Sequence, residues 1–236
     1  MSIAIPLYLA MTAAELQRQP QLPQHTAWMA CHFSPYGTGL SNLPGDLPPD
    51  SMLILNDRTP IAGHDAQHIL EQLTELVEQL QIRSLLLDFQ RPNEPQTAHL
   101  VDVLASKFPC PIGVSDLYAK EVPAPVFLPP PPLHIPLETY LLPWRDREIW
   151  LDAALDHECI TVTEEGAVIQ PNTSSSQNPM HFDKALLCHY QIEVETDCAR
   201  FLLHRTHDDL EALLTQASSL GVTHAIGLYQ ELGKHN

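Results

Sequence analysis

The sequence predicts a single (β/α)8 barrel of the TIM type, with a small antiparallel β-hairpin insertion near the seventh strand. Short apolar runs alternate with amphipathic segments along the 236 residues, an order typical of strand–helix units joined by parallel crossovers. The apolar runs are continuous, which indicates strands buried on both faces. The chain length is also typical of one barrel that folds as a unit. The same pattern allows one alternative, an open doubly wound sheet.

The first half of the chain supplies five predicted strands and three predicted helices. Thr12 is the predicted N-cap of a short first helix, because its hydroxyl can accept a backbone N–H. Residues 65–82 form the clearest helix, with apolar side chains at helical spacing and Glu and Gln on the other face. A further helix is predicted at 97–108. The predicted strands are 3–11, 26–33, 51–57, 84–89 and 111–117.

The second half of the chain supplies the remaining predicted elements of the barrel and one insertion. A strand at 124–128 runs into four prolines at 129–132, which cannot donate to a sheet and predict a stiff loop. A helix at 137–144 and a strand at 148–155 follow. Alternating apolar residues around a Glu-Glu-Gly turn then predict hairpins, so residues 1–236 form one barrel domain with 158–204 inserted. The last unit is a helix at 208–220, Gly221 as its C-cap, and a strand at 224–232.

Charge and cysteine content exclude several classes of partner. The net charge of −17, from 29 acidic and 12 basic side chains, repels phosphate backbones and anionic lipid, so we expect neither nucleic acid nor membrane partners. Solubility is the simplest role of this charge, and a cationic ligand is the alternative. Five scattered cysteines without a C-x-x-C pair indicate a reducing compartment, and the cytoplasm is predicted. The first residues lack the basic start of a signal peptide. The sequence leaves the oligomeric state open.

Polar side chains fall where the predicted strands end. Barrel enzymes carry their active sites at the carboxyl ends of the strands, so residues there are candidates for contacts with a substrate. Carboxylates that converge on one mouth could form a catalytic group, although strand ends are polar in any barrel because loops begin there. The candidates are Asp57, Asp88, Gln90, Asp116, Asp152, Tyr229, Gln230 and Glu231.

Motifs for metals and cofactors are weak. His64 and His68 lie four residues apart at a helix start, a spacing that suits a metal ligand pair, but no third ligand accompanies them. The chain has no glycine-rich phosphate loop and no G-x-S-x-G turn for a nucleophilic serine. The sequence therefore predicts neither a metal nor a cofactor.

Two segments resemble glycoside hydrolase family 18, the family of chitinases and related N-acetylglucosaminidases. Residues 52–92, ending in "LLLDFQRP", look like the family's third strand, helix and fourth strand. "DFQRP" stands where the family has "DWEYP". Residues 201–233 are similar to the closing segment of the family's spore-germination branch. The resemblance implies a (β/α)8 barrel whose ligand is an oligosaccharide containing N-acetylglucosamine.

The departures from the family motif decide the predicted function. The resemblance places the family's acid at Gln90, its adjacent aspartate at Asp88, and its two earlier aspartates at Leu86 and Arg83. In the family, a glutamate protonates the leaving oxygen while the sugar's N-acetyl group attacks. Gln90 has no titratable proton, yet it can donate and accept hydrogen bonds. Gln230 likewise stands where the family has a tryptophan, and the four prolines replace a polar strand end.

Three hypotheses follow. The first is a pseudoenzyme, inactive or weakly active, that binds a carbohydrate in the mouth, with Asp88 and Gln90 at the degenerate catalytic position. The second is an active glycosidase that uses other strand-end carboxylates, namely Asp88, Asp116, Asp152 or Glu231, two of which would have to face each other across the mouth. The third is a structural or interaction barrel whose mouth is filled by its own side chains or by the proline run.

Overall fold

The described residues form eight parallel strands, the helices that accompany them and a smaller antiparallel sheet. The computed structural model describes residues 5–19, 21–61, 63–92, 94–120, 122–172 and 180–233. In chain order the elements are β1 (Leu7–Met11), α1 (Ala13–Arg18), β2 (Thr26–Phe33), β3 (Leu40–Ser41), β4 (Met52–Asn56), α2 (Ala66–Leu80), β5 (Ser84–Asp88), α3 (Pro95–Lys107), β6 (Ile112–Ser115), α4 (Asp116–Ala119), β7 (Val126–Leu128), α5 (Leu137–Leu141), a 3-10 turn (Leu142–Trp144), β8 (Ile149–Asp152), β9 (His157–Thr163), β10 (Gly166–Pro171), β11 (His181–Asp183), β12 (Cys188–Val194), β13 (Ala199–His204), α6 (His207–Ser219), β14 (Val222–Leu228) and α7 (Tyr229–Leu232).

The parallel strands close into a ring. Their order is β1, β2, β4, β5, β6, β7, β8 and β14, and β1 pairs with both β2 and β14. The short strand β3 pairs in the antiparallel direction with the carboxyl end of β2. The predicted (β/α)8 barrel is therefore confirmed, and the open-sheet alternative is wrong because both of its edges are paired.

Side chains fill the inside of the ring. Trp150 is fully buried there, and it lies against β6 at Gly113. A Cβ atom at Gly113 would stand 2.2 Å from Cε3 of Trp150, so only glycine leaves room for the indole. The remaining interior residues are Tyr8, Ala10, Ala27, Met52, Ile54, Leu86, Phe127 and Ile226. Below its mouth the barrel is thus a packed core and not a pore.

The outer layer follows from local sequence signals. Helix α2 starts after Asp65, whose side chain accepts the N–H of Gln67, and it buries Ile69 and Leu73 against the sheet. It ends at Gln81, which takes the left-handed conformation with φ of 54°, the usual geometry just past a helix end. Residues 3 and 4 of the predicted first strand lie outside the described part of the chain.

The inserted segment forms one sheet. Its strand order is β10, β9, β13, β12, β11. Strand β9 pairs with β13, so the hairpins predicted for this segment belong to one sheet. The sheet follows β8, the seventh strand of the barrel, as the sequence predicts. Within the described residues, no helix has the length and apolar character needed to cross a membrane.

The last predicted strand is too long. The chain leaves the sheet after Leu228 and turns into α7, where Glu231 accepts the backbone N–H of Leu155. This contact ties the end of the chain to the segment that follows β8. Strand β14 ends at Leu228, before the end that the apolar pattern predicts.

Candidate functional site

A cleft of about 950 Å³ opens at the mouth of the barrel, at the carboxyl ends of all eight strands. It is lined by Ala10, Thr12, Met29, Ala30, His32, Asn42, Ile54, Asn56, Asp57, Arg58, Leu86, Asp88, Gln90, Arg91, Ser115, Asp116, Phe127, Pro129, Pro130, Asp152, Ile226, Gly227 and Leu228. Pro129 and Pro130 form part of one wall and leave the mouth open. The filled mouth expected of an interaction barrel is therefore not what the described residues form.

Strand alternation aims the polar side chains into the cleft. Leu86 lies inside the barrel, so Asp88, two residues further along β5, faces the same way. Trp150 and Asp152 are related in the same manner on β8. Both carboxylates line the cleft, and they come from the fourth and the seventh strand of the ring. Asp88 and Asp152 therefore stand on different walls of one space.

Asp57 organises the turn that carries Gln90. It is 4% exposed, and both of its carboxylate oxygens lie 3.0 Å from the backbone nitrogen of Gln90. Its Oδ2 atom also accepts the backbone N–H of Arg91 at 2.7 Å. A carboxylate that accepts several backbone N–H groups is a strong anchor, so Asp57 fixes the backbone at Gln90.

The side chain of Gln90 is also positioned. Its Nε2 atom donates to Oδ1 of Asp88 over 2.6 Å, while the rest of the side chain is exposed to the mouth. The amide oxygen and the second N–H of Gln90 are chemically able to bind a hydroxyl or acetamido group. The side chain thus lies inside the ring of strands and at its open end.

Three residues that the sequence analysis missed complete this turn. The guanidinium of Arg91 donates to the carbonyl oxygens of Asp57, at 2.9 Å, and of Arg58, at 3.2 Å. Tyr118 donates its hydroxyl to the carbonyl of Arg91. Ser115 donates to the carbonyl of Phe89 at 2.8 Å. No sequence motif marks these residues, since they act on backbone carbonyls brought close only by the barrel.

Two carboxyls of the cleft, those of Asp88 and Asp152, have a raised pKa. Burial is the main reason that the pKa of Asp88 is raised; the Gln90 hydrogen bond opposes this effect and the charge of Asp57 adds to it. Burial also raises the pKa of Asp152 to about 7, and the negative charges of Asp88, Asp156 and Glu231 contribute. Near neutral pH, Asp152 is therefore divided between its protonated and ionised forms.

The cleft brings together five of the eight predicted site residues, namely Asp57, Asp88, Gln90, Asp116 and Asp152. The other three, Tyr229, Gln230 and Glu231, lie on α7 and are not among the residues that line the cleft, so their contact with a substrate stays a prediction. The chain turns into α7 after Leu228, so Leu228 lines the cleft in their place.

The described residues contain no group of three or more His, Cys, Asp or Glu side chains that could hold a metal ion. His64 instead contacts the carbonyl oxygens of Ile61 and Gly39, at 2.8 and 3.1 Å. Its ring also packs 5.4 Å from that of Phe33. These contacts give His64 a structural role at the start of α2.

The fold of this chain is similar to the folds of several solved structures. The spore cortex-lytic enzyme SleL from Bacillus cereus matches with a TM-score of 0.56 and 8% identity, over 96% of this chain and 71% of that chain. A chitinase from Chromobacterium violaceum matches with a TM-score of 0.52 and 9% identity, over 99% and 96% of the two chains. The family 18 chitinase from Cycas revoluta, a double mutant in complex with (GlcNAc)4, has a TM-score of 0.53 and 10% identity, over 94% of each chain.

No protein-family model matches the chain, and no curated protein matches its sequence. At identities as low as those of the solved structures, the likeness establishes the fold alone. The resemblance to the barrels of family 18 chitinases and spore cortex-lytic glycosidases is confirmed at that level.

Proposed function

We propose that the barrel binds an oligosaccharide containing N-acetylglucosamine in its mouth and cleaves it weakly or not at all. The observation that carries this proposal is the Gln90–Asp88 pair, with 2.6 Å between amide nitrogen and carboxylate oxygen. The pair lies at the end of β5 in an open cleft. A general acid needs a titratable proton, and an amide has none, but an amide can hold a sugar by hydrogen bonds.

Two further observations support a sugar ligand. The cleft of about 950 Å³ lies within the range typical of ligand pockets. The Cycas revoluta chitinase that holds (GlcNAc)4 carries two substitutions, one of which replaces a glutamate by a glutamine. A barrel of this fold with such an amide is thus compatible with a bound tetrasaccharide.

Calorimetry with (GlcNAc)4 tests the proposal. We expect the wild-type chain to bind, and Gln90→Ala to weaken binding roughly tenfold, since one lost hydrogen bond is worth about 1.4 kcal/mol. Gln67→Ala is the matched control, because Gln67 is exposed on α2, away from the cleft. Absence of wild-type binding at millimolar ligand would rule the proposal out, and rapid release of shorter sugars would rule out its non-catalytic part.

A second candidate function, weak glycoside hydrolysis, is favoured by Asp152. Its raised pKa of about 7 makes it a proton donor near neutral pH, and Asp88 is a carboxylate on another wall of the same cleft. A pair of carboxyls that flank a glycosidic bond, one protonated and one ionised, is the common arrangement of glycosidases.

If this second function is present, Asp152→Asn should lower the hydrolysis of chromogenic N-acetylglucosaminides at least ~100-fold, the usual contribution of a general acid. The wild-type rate should fall as the pH rises through about 7, because Asp152 with its pKa of about 7 then loses its proton. The control is Asp146→Asn, whose side chain is 92% exposed. Equal rates in the two variants would exclude Asp152 as the acid.

A further inference from the structure

One wall of the cleft is formed by a segment whose prolines can donate no backbone hydrogen bonds. Residues 129–133, here called the proline strap, follow β7 and contain four consecutive prolines. Pro129 and Pro130 line the cleft. Proline has no backbone N–H, so the four prolines contribute only carbonyl acceptors, and their hydrogen bonds depend on donors from elsewhere. On the barrel side, the hydroxyl of Tyr140 donates to the carbonyl of Pro129 at 2.9 Å.

The insertion sheet supplies contacts to the far half of the proline strap. Arg205, directly after β13, is 2% exposed, and both terminal nitrogens of its guanidinium make long, 3.4 Å hydrogen bonds to the carbonyl of Pro131. Glu158 on β9 accepts the backbone N–H of Leu133 at 3.1 Å. Its second oxygen pairs with Nδ1 of His134 at 2.7 Å. The strap is thus held by Glu158 of β9 and by Arg205, the residue directly after β13.

Apolar packing adds to these polar contacts between the proline strap and the insertion sheet. Leu133 is fully buried in a small cluster with Cys188 and Leu203, which lie on β12 and β13. This cluster is separate from the barrel interior and from the two clusters outside the ring. Its members come from the strap and the insertion sheet, so burial of Leu133 depends on the presence of the sheet.

We infer that the insertion sheet positions one wall of the cleft, with Arg205 and Glu158 as the positioning residues that act through the proline strap. The identity of the ligand in this inference rests on the proposed function. The insertion sets the width of the mouth by holding the proline strap. Neither residue lines the cleft, so both act on a ligand only through the strap.

Hydrogen exchange of the Leu133 amide, combined with (GlcNAc)4 calorimetry, tests the inference on the full chain. In Arg205→Met, we expect this amide to exchange at least tenfold faster and the affinity for (GlcNAc)4 to fall about tenfold. Arg205→Lys, which keeps a donor for the carbonyl of Pro131, should restore most of both. Arg200→Met is the matched control, because Arg200 lies on β13, close in sequence to Arg205, but pairs with Glu193 and Glu195 instead.

Glu158→Ala provides a second variant, which removes the acceptor of the Leu133 N–H itself, and it should also speed exchange at Leu133. Unchanged exchange in both Arg205→Met and Glu158→Ala would overturn the inference. Faster exchange with unchanged (GlcNAc)4 affinity would overturn the link between strap and cleft. If the wild-type chain does not bind (GlcNAc)4, the proposed function fails, while the exchange measurement still decides whether the insertion holds the strap.

Discussion

We expect Gln90→Glu to give the barrel measurable N-acetylglucosaminidase activity, at least ~100-fold above the wild-type rate, as is usual when a general acid is supplied. The amide nitrogen of Gln90 lies 2.6 Å from an oxygen of Asp88. A carboxyl group at the same place can keep that contact only if it and Asp88 share one proton. The nearby charges of Asp88 and Asp57 would therefore raise the pKa of the new carboxyl and keep its proton available near neutral pH.

Release of chromophore from a chitobioside, followed between pH 4 and 9, measures this gain. The double variant Asp88→Asn with Gln90→Glu should lose it, because the partner that holds the proton in place is gone. Gln67→Glu adds the same charge on α2, outside the cleft, and should leave the rate unchanged. A Gln90→Glu variant that folds and binds (GlcNAc)4 but stays inactive would show that more than the acid is missing from the mouth.

The largest loss of stability in the cleft should follow Asp57→Ala, with a fall in the free energy of unfolding of about 2–4 kcal/mol. The substitution removes the carboxylate that accepts the backbone N–H groups of Gln90 and Arg91. Hydrogen bonds to a charged acceptor are worth about 1.5–3 kcal/mol, and buried donors left without a partner add a desolvation cost. Because the same bonds fix the turn at Gln90, (GlcNAc)4 binding should weaken as well.

Urea unfolding of the variants checks this expectation. Asp57→Asn keeps one acceptor oxygen and should lose about half as much stability as Asp57→Ala. Asp46→Ala is the control, since Asp46 is an exposed loop residue and its loss should change stability by less than about 0.5 kcal/mol. Equal unfolding curves for Asp57→Ala and Asp46→Ala would contradict the anchoring role given to Asp57.

Local physical signals in the sequence were sufficient for the elements of the barrel. The apolar run at residues 85–87 predicts β5, and the helical spacing of apolar residues in 65–82 predicts α2; both form as expected. Asp88 directly follows the apolar run, which places it at a strand end. Successive side chains of a strand point to opposite faces, so the sequence also predicts which way Asp88 points. That is why the sequence could place Asp88, Gln90 and Asp152 at the mouth.

What those residues do at the mouth depends on contacts between segments that are far apart in the chain. Asp57 reaches Gln90 across 33 residues, and Glu231 on α7 accepts the backbone N–H of Leu155 across 76 residues. The pKa of Asp152 rises through burial among distant carboxylates. Strands and helices could be predicted without the fold, because propensity and periodicity act between near neighbours. Contacts between remote segments close the ring, raise the proton affinity of carboxyls in the cleft and hold the proline strap. Such contacts form only when the chain folds.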